Sequence, residues 1–194
     1  MTRTDPPADF REIVSSQLPA LGLLVNLGYT FLTPAEALEK RRGRRGQVIL
    51  TDVLLESLGR LNRVRYLNQE REFTSDGLQK AADALLTLPF EAQYTTAQAA
   101  YDLLTLGVTV EQTIDGDRKS FSIKFIDWDT PENNVWHVTE EFTAERQGST
   151  ATRRPDIVLF CNGIPLVVIE CKRPDMGEPL AEAISQTLRN HARH

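Results

Sequence analysis

Cysteine is nearly absent: Cys161 and Cys171 are the only two in 194 residues, and the three histidines are His137, His191 and His194. Two thiols are too few for a disulfide framework or a four-ligand zinc site, and both sit in apolar runs where a thiol packs as a small hydrophobe. The histidines make no metal cluster and are expected at the surface. Long hydrophobic runs are missing too, since nothing approaches the roughly 18 to 20 uninterrupted apolar residues of a membrane span. The opening MTRTDPPADF lacks the basic-then-apolar pattern of a signal peptide. The expected location is therefore cytoplasmic, with no membrane partner. No G-x-x-x-x-G-K-[ST] occurs, which excludes an ATP site of the P-loop type. Internal repeats and low-complexity tracts are absent.

What is present is an ordinary globular composition, 41% hydrophobic and 25% charged, which excludes disorder, collagen and a coiled-coil rod. The formal charge of −5 argues against polyanion binding by bulk charge. Its distribution is uneven. Between Glu36 and Arg65 eight basic residues stand against four acidic ones, a balance of +4 that leaves −9 on the remainder. A basic region thus lies on an acidic body. Its cluster of Lys40, Arg41, Arg42, Arg44 and Arg45 is suited to gripping a phosphate backbone, to a solvated turn or to docking another subunit.

Apolar residues at three- and four-residue intervals predict an amphipathic helix over residues 10–27, kinked by Pro19 and ended by Gly28. Thr33-Pro34-Ala35-Glu36 joins an N-cap, a first-position proline and a glutamate three residues on, which starts a short helix running to about Arg42. Further helices are expected over 48–61, 75–88 and 96–106. After Gly107 the period changes. Phe121, Ile123 and Phe125 alternate with polar residues, and residues 135–143 are rich in β-branched and aromatic types, both signs of strands. Residues 155–160 and 164–172 are near-continuous apolar runs around Asn162-Gly163, a hairpin signal between strands expected to be covered on both faces. Helical spacing returns over residues 178–194. That helix reaches His194 without a cap, so the chain reads as the front of something longer.

The chemistry concentrates in the hairpin. Asp156, Glu170 and Lys172 sit on the two most apolar strands, where charge is seldom buried unless paired or metal-bound. Phosphodiester hydrolysis would account for them. Two carboxylates can hold a divalent cation that polarises a phosphoryl oxygen, while a nearby ammonium stabilises negative charge. Oxygen ligands without histidine or thiol favour Mg²⁺ or Mn²⁺ over zinc. The alternative is that Asp156 caps a strand start and that Glu170 and Lys172 fray into solvent. Register discriminates. An unbroken two-residue hairpin would turn Asp156 away from Glu170. A three-residue loop, Cys161-Asn162-Gly163, sets Asp156 across from Val168 and on the face of Glu170. The chemistry thus requires that bulged loop or an equivalent bulge elsewhere in these strands.

The run from Arg154-Pro155-Asp156 through Phe160, and Asn162-Gly163-Ile164 through Glu170-Cys171-Lys172, resembles the nuclease motif of the type I restriction enzyme R subunit, a member of the PD-(D/E)xK nuclease superfamily. Residues 126–134 resemble the strand and loop leading into that motif. The resemblance implies a Mg²⁺-dependent endonuclease acting on double-stranded DNA, with Asp156 and Glu170 as metal ligands and Lys172 as the catalytic lysine. Family members often add a glutamate from the first helix. Glu12 is the nearest candidate, while Gln17 stands at the more usual distance before Gly28. They also commonly carry a glutamine and, four residues on, a tyrosine in the next helix. Gln186 fits, and Asn190 replaces the tyrosine. A whole R subunit uses ATP through a motor not contained in these residues, and works with methylation and specificity subunits.

The expected architecture is α/β (α+β): a restriction-endonuclease-like core in a single N-terminal nuclease domain. It comprises a mixed, mainly antiparallel sheet over about 119–172, flanked by the first helix and a closing helix over about 178–194. The helices of about 33–106 form an additional layer. Arg153 and Arg154 border the site and are further candidates for DNA contact. Trp128 and Trp136 are expected to pack rather than stack on bases, and Asp127 to stand near the metal strand. Two rivals are a catalytically silent nuclease-fold module, which holds DNA or docks subunits, and a stand-alone DNA repair nuclease.

Overall fold

The computed structural model describes residues 13–88, 93–145 and 152–172. Glu12, Gln186, Asn190 and the expected closing helix lie outside them. Pro19 marks a change of helical geometry. A π-helical turn, Ile13–Gln17, leads into α1 (Leu18–Asn26) with the proline in its first turn. Gly28, at φ +101°, ends the segment. The chain then forms β1 (Thr30–Leu32) and α2 (Pro34–Lys40). The Thr33 side chain accepts from Glu36 N–H while the Glu36 carboxylate accepts from Thr33 N–H, the reciprocal cap legible in the sequence. Next come α3 (Thr51–Leu61), the small hairpin β2 (Val64–Tyr66) and β3 (Gln69–Arg71), α4 (Ser75–Leu86) and α5 (Gln93–Leu106).

The later strands are β4 (Val108–Ile114), β5 (Asp117–Ile123), β6 (Trp136–Glu140), β7 (Ala144–Glu145), β8 (Thr152–Arg153), β9 (Ile157–Cys161) and β10 (Ile164–Ile169). Mixed helices and mostly antiparallel sheets make this an α/β nuclease-like fold. The main sheet runs β1-β6-β9-β10, with β1 parallel to β6 and the other pairs antiparallel. Two expectations change. Phe121 and Ile123 belong to a separate β4–β5 hairpin, closed by Asp115-Gly116, and not to the main sheet. The three-residue β1, too short to show a period, supplies the parallel edge.

β9 is buried along its whole length, as its unbroken apolar run requires. On one face Ile157 and Leu159 pack with Val138 against Leu21 of α1. On the other, Val158 and Phe160 join Leu32, Ala37, Leu50 and Val53 under α2 and α3. A third cluster joins α3, α4 and the β4–β5 hairpin through Leu58, Ala82, Ile123 and Phe125. Each of the larger of these side chains, Val, Leu, Ile or Phe, taken fully from water contributes about 1.5–3 kcal/mol. β10 differs from expectation: Leu166, Val167 and Val168 are 40%, 46% and 56% exposed. Among the described residues it is the sheet's edge, with β9 as its neighbour in the strand order.

Candidate active site

Asn162 and Gly163 form the hairpin turn, at φ +52° and +82°, so the loop has two residues and not three. Both are buried. Asn162 accepts from Val135 N–H and donates to the Phe125 carbonyl and to Asn134 Oδ1. Asn134 in turn accepts from Asp127 N–H. The Gly163 carbonyl accepts from Leu50 N–H at 2.8 Å, just before α3. The turn is therefore held from two sides and its register is fixed.

The bulge lies farther along. Ile164 pairs with Cys161 and Pro165 with Phe160, but Val167 pairs with Leu159, leaving Leu166 as the extra residue. Pro165, which has no N–H to give the ladder, stands beside the irregularity. Beyond it Val168 faces Val158 and Ile169 faces Ile157. One step further stand Glu170 and Asp156. Carried one step past the last ladder pair, this register would set the two acids opposite one another, and not diagonal as the three-residue loop would have set them. If strand alternation continues past the strand ends, both would lie on the Val158 side, with Lys172 at the parity of Glu170.

Asp156 is fixed at both ends. Its Oδ2 accepts from Cys171 N–H at 2.7 Å, between Glu170 and Lys172 in sequence. Its carbonyl accepts from Glu141 N–H at 3.0 Å. One bond orients the carboxylate without exhausting its roughly four acceptor sites. Asp156, Glu170 and Lys172 are all half-buried. Among the described residues no group of three His, Cys, Asp or Glu side chains converges to hold a metal. Two hard carboxylates suit Mg²⁺ or Mn²⁺, which keep several waters and take one or two carboxylates, but fall short of a zinc site.

The basic candidates separate. Arg41 is 2% exposed. It donates to the carbonyls of Ala37, Gln47 and Thr143 and lies 4.1 Å from the centre of the Phe142 ring. It holds the α2 exit against the sheet and adds nothing to a DNA-facing surface, which corrects its expected role. Arg42 pairs with Asp52 at 2.8 Å, and Arg45 with Glu145 at 3.8 Å. Arg44 is exposed and, with Arg42 and the floor formed by the buried Arg41, lines a cleft of about 380 Å³ against the end of α4. Arg153 and Arg154 are exposed just before Pro155, Arg154 pairing with Glu141 at 2.7 Å.

Other residues are structural. Asp127 accepts from Thr130 N–H, Asn133 and Lys124, shaping the loop before β6. The Asn133 bond and then Lys124 draw its pKa down to about 2. Trp136 packs edge-on to Tyr29 at 5.9 Å, while the 55% exposed Trp128 donates to the Leu104 carbonyl at 2.8 Å. Burial pushes the Cys161 thiol up to about 12, so it stays an inert hydrophobe. His137 is not the surface residue expected. Its Nδ1 is buried and lacks a hydrogen bond. Sequence reasoning did not foresee the inward turn of Gln17, which is 3% exposed and whose amide reaches Glu140 and the Asp156 carbonyl. Its signal was a polar residue on an apolar helical stripe.

A family model, described as the type I restriction enzyme R protein N terminus, matches residues 9–194. The chain is 28% identical over 166 residues, 86% of its length, to the type I restriction enzyme HindI endonuclease subunit of Haemophilus influenzae. It is 33% identical over 86 residues, 44% of its length, to the putative type I restriction enzyme MjaIXP endonuclease subunit of Methanocaldococcus jannaschii. To the putative MjaVIIP endonuclease subunit of the same organism it is 38% identical over 88 residues, 45% of its length. The matched regions span 15%, 8% and 8% of those three relatives. With the family match running over almost its whole length, the chain belongs to the family of type I restriction enzyme R protein N-terminal regions.

Proposed function

We propose that this chain is the nuclease domain of a type I restriction R subunit, hydrolysing phosphodiester bonds of double-stranded DNA in the cytoplasm. The observation that carries the reading is the bulged register of β9 and β10, which, carried one step past Ile169 and Ile157, would set Glu170 opposite Asp156. These carboxylates would hold Mg²⁺, or Mn²⁺ in its place, which supplies Lewis-acid polarisation of a phosphoryl oxygen. Cys171 N–H keeps the Asp156 carboxylate turned toward the neighbouring strand. Lys172, at the same parity as Glu170, offers an ammonium to the negative charge that builds on the phosphoryl oxygens. Arg153 and Arg154, exposed just before Pro155, would contact the backbone of a bound duplex. Arg42, Arg44 and Arg45 offer further phosphate contacts, which add affinity without sequence information. Target choice would belong to the specificity subunit and methylation to its partner, while ATP would serve the motor of a full subunit. The test is plasmid nicking by the protein isolated with its natural partners. Asp156→Ala, Glu170→Ala and Lys172→Ala should each abolish Mg²⁺-dependent nicking while leaving DNA binding. Equal cutting by all four proteins refutes the proposal.

A further inference from the structure

Gln17 is an unusual residue to bury. It ends the π-helical turn, a geometry often found at functional sites, at the point where Pro19 resets the chain into α1. Its Nε2 lies 3.2 Å from Glu140 Oε2, at the end of β6, and 3.3 Å from the Asp156 carbonyl, at the start of β9. Those partners are 123 and 139 residues away in sequence. Both can only accept, so the amide nitrogen and not its oxygen must face them, and its two hydrogens are both committed. The Asp156 carbonyl then has its two lone pairs filled, one by Gln17 and one by Glu141 N–H.

We infer that Gln17 is a positioning residue for Asp156: it ties the first helix to the ends of β6 and β9, and so sets where the Asp156 carboxylate stands relative to Glu170. The inference rests on the proposed nuclease reading and adds a residue that touches neither metal nor DNA. Through Gln17, a shift of α1 along the sheet is felt at the acid directly. Replacement by methionine keeps length and apolar packing and removes both donors. Replacement by glutamate sets three oxygen groups together with no hydrogen among them.

The experiment uses the protein isolated with its natural partners, comparing wild type, Gln17→Met, Gln17→Glu and Asp156→Ala. Three quantities are read: Mn²⁺ binding, from loss of the free-ion electron paramagnetic resonance signal; kcat and KM for DNA cleavage; and the melting temperature. Support groups that orient a metal ligand typically change affinity or activity about 10–100-fold. Gln17→Met and Gln17→Glu should weaken Mn²⁺ and lower kcat by about that factor, with KM for DNA within about twofold of wild type. A purely structural role would lower the melting temperature without separating kcat from KM. If Asp156→Ala loses Mn²⁺ and cleavage while both Gln17 variants match wild type, the inference is overturned and the nuclease reading stands. If Asp156→Ala itself binds and cuts as wild type, the nuclease reading falls first. Should the Gln17 variants fail to fold, Glu140→Ala removes one of the two acceptors and leaves α1 intact, and wild-type Mn²⁺ affinity there overturns the inference.

Discussion

Replacing Gly163 by alanine tests whether the hairpin turn is a fixed mount. A Cβ there would lie 2.6 Å from the Leu50 carbonyl oxygen, 2.9 Å from Leu54 N and 3.2 Å from Val53 Cβ. The first two are backbone atoms, tied in by the Leu50 N–H bond to the Gly163 carbonyl, so nothing flexible can yield. Three costs add. A left-handed conformation costs an alanine about 1–2 kcal/mol, the overpacking about 1–3 kcal/mol, and a weakened hydrogen bond about 1 kcal/mol. The total is about 3–6 kcal/mol. Gly116 is a matched control, since the Asp115-Gly116 turn has φ of +52° and +90° but nothing within 4 Å of a Cβ. Gly116→Ala should therefore cost only the conformational part, about 1–2 kcal/mol. Urea unfolding separates them. With a slope of about 2 kcal/mol per molar, the midpoint should fall by about 1.5–3 M for Gly163→Ala and about 0.5–1 M for Gly116→Ala. Equal shifts in the two variants would refute the claim that the turn is seated on α3.

Two further outcomes follow from buried polar groups. Burial, aided by Lys40 and opposed by Glu56, holds the His137 pKa below its ordinary 6.5. The unfolded chain therefore takes the proton first, and stability is present above about pH 6.5 and lost as pH falls through that value toward the folded pKa. His137→Phe should flatten the fall in urea midpoint between about pH 7.5 and 5.5; an unchanged slope refutes it. Arg41→Met strands three carbonyls and should cost about 3 kcal/mol while leaving the salt dependence of DNA binding as in wild type. Arg44→Ala should do the reverse, lowering the slope of log affinity against log salt by about one and hardly touching stability. An Arg41 variant of full stability but reduced salt slope would restore Arg41 to the DNA surface.

Local signals were the legible ones. Thr33 to Glu36 carries its cap within four residues, and Asn162-Gly163 declares a turn because few other pairs accept two left-handed positions. The acids stood out in the sequence because carboxylates are costly beside runs as apolar as those that became β9 and β10. What escaped depended on distant partners. Arg41 looks like its neighbours in a basic run, and only Thr143, 102 residues away, completes its burial. β1 takes its identity from β6, with Thr30 pairing His137, and its three residues carry no period of their own. The position of the bulge was equally hidden, because either strand could absorb one extra residue and only docking of the turn decides which does.

Leu166 has no chemistry of its own, yet its presence sets the phase of everything after it in β10. Each position beyond it faces the side opposite to the one an unbroken ladder would give, as if a gear had been advanced by one tooth. Swapping Leu166 for another aliphatic residue leaves that phase untouched, whereas excising it would rotate Glu170 and Lys172 together to the reverse of the sheet with their identities intact. Catalytic competence in such a hairpin is thus a matter of counting as much as of composition, and its most sensitive locus is an aliphatic side chain facing solvent.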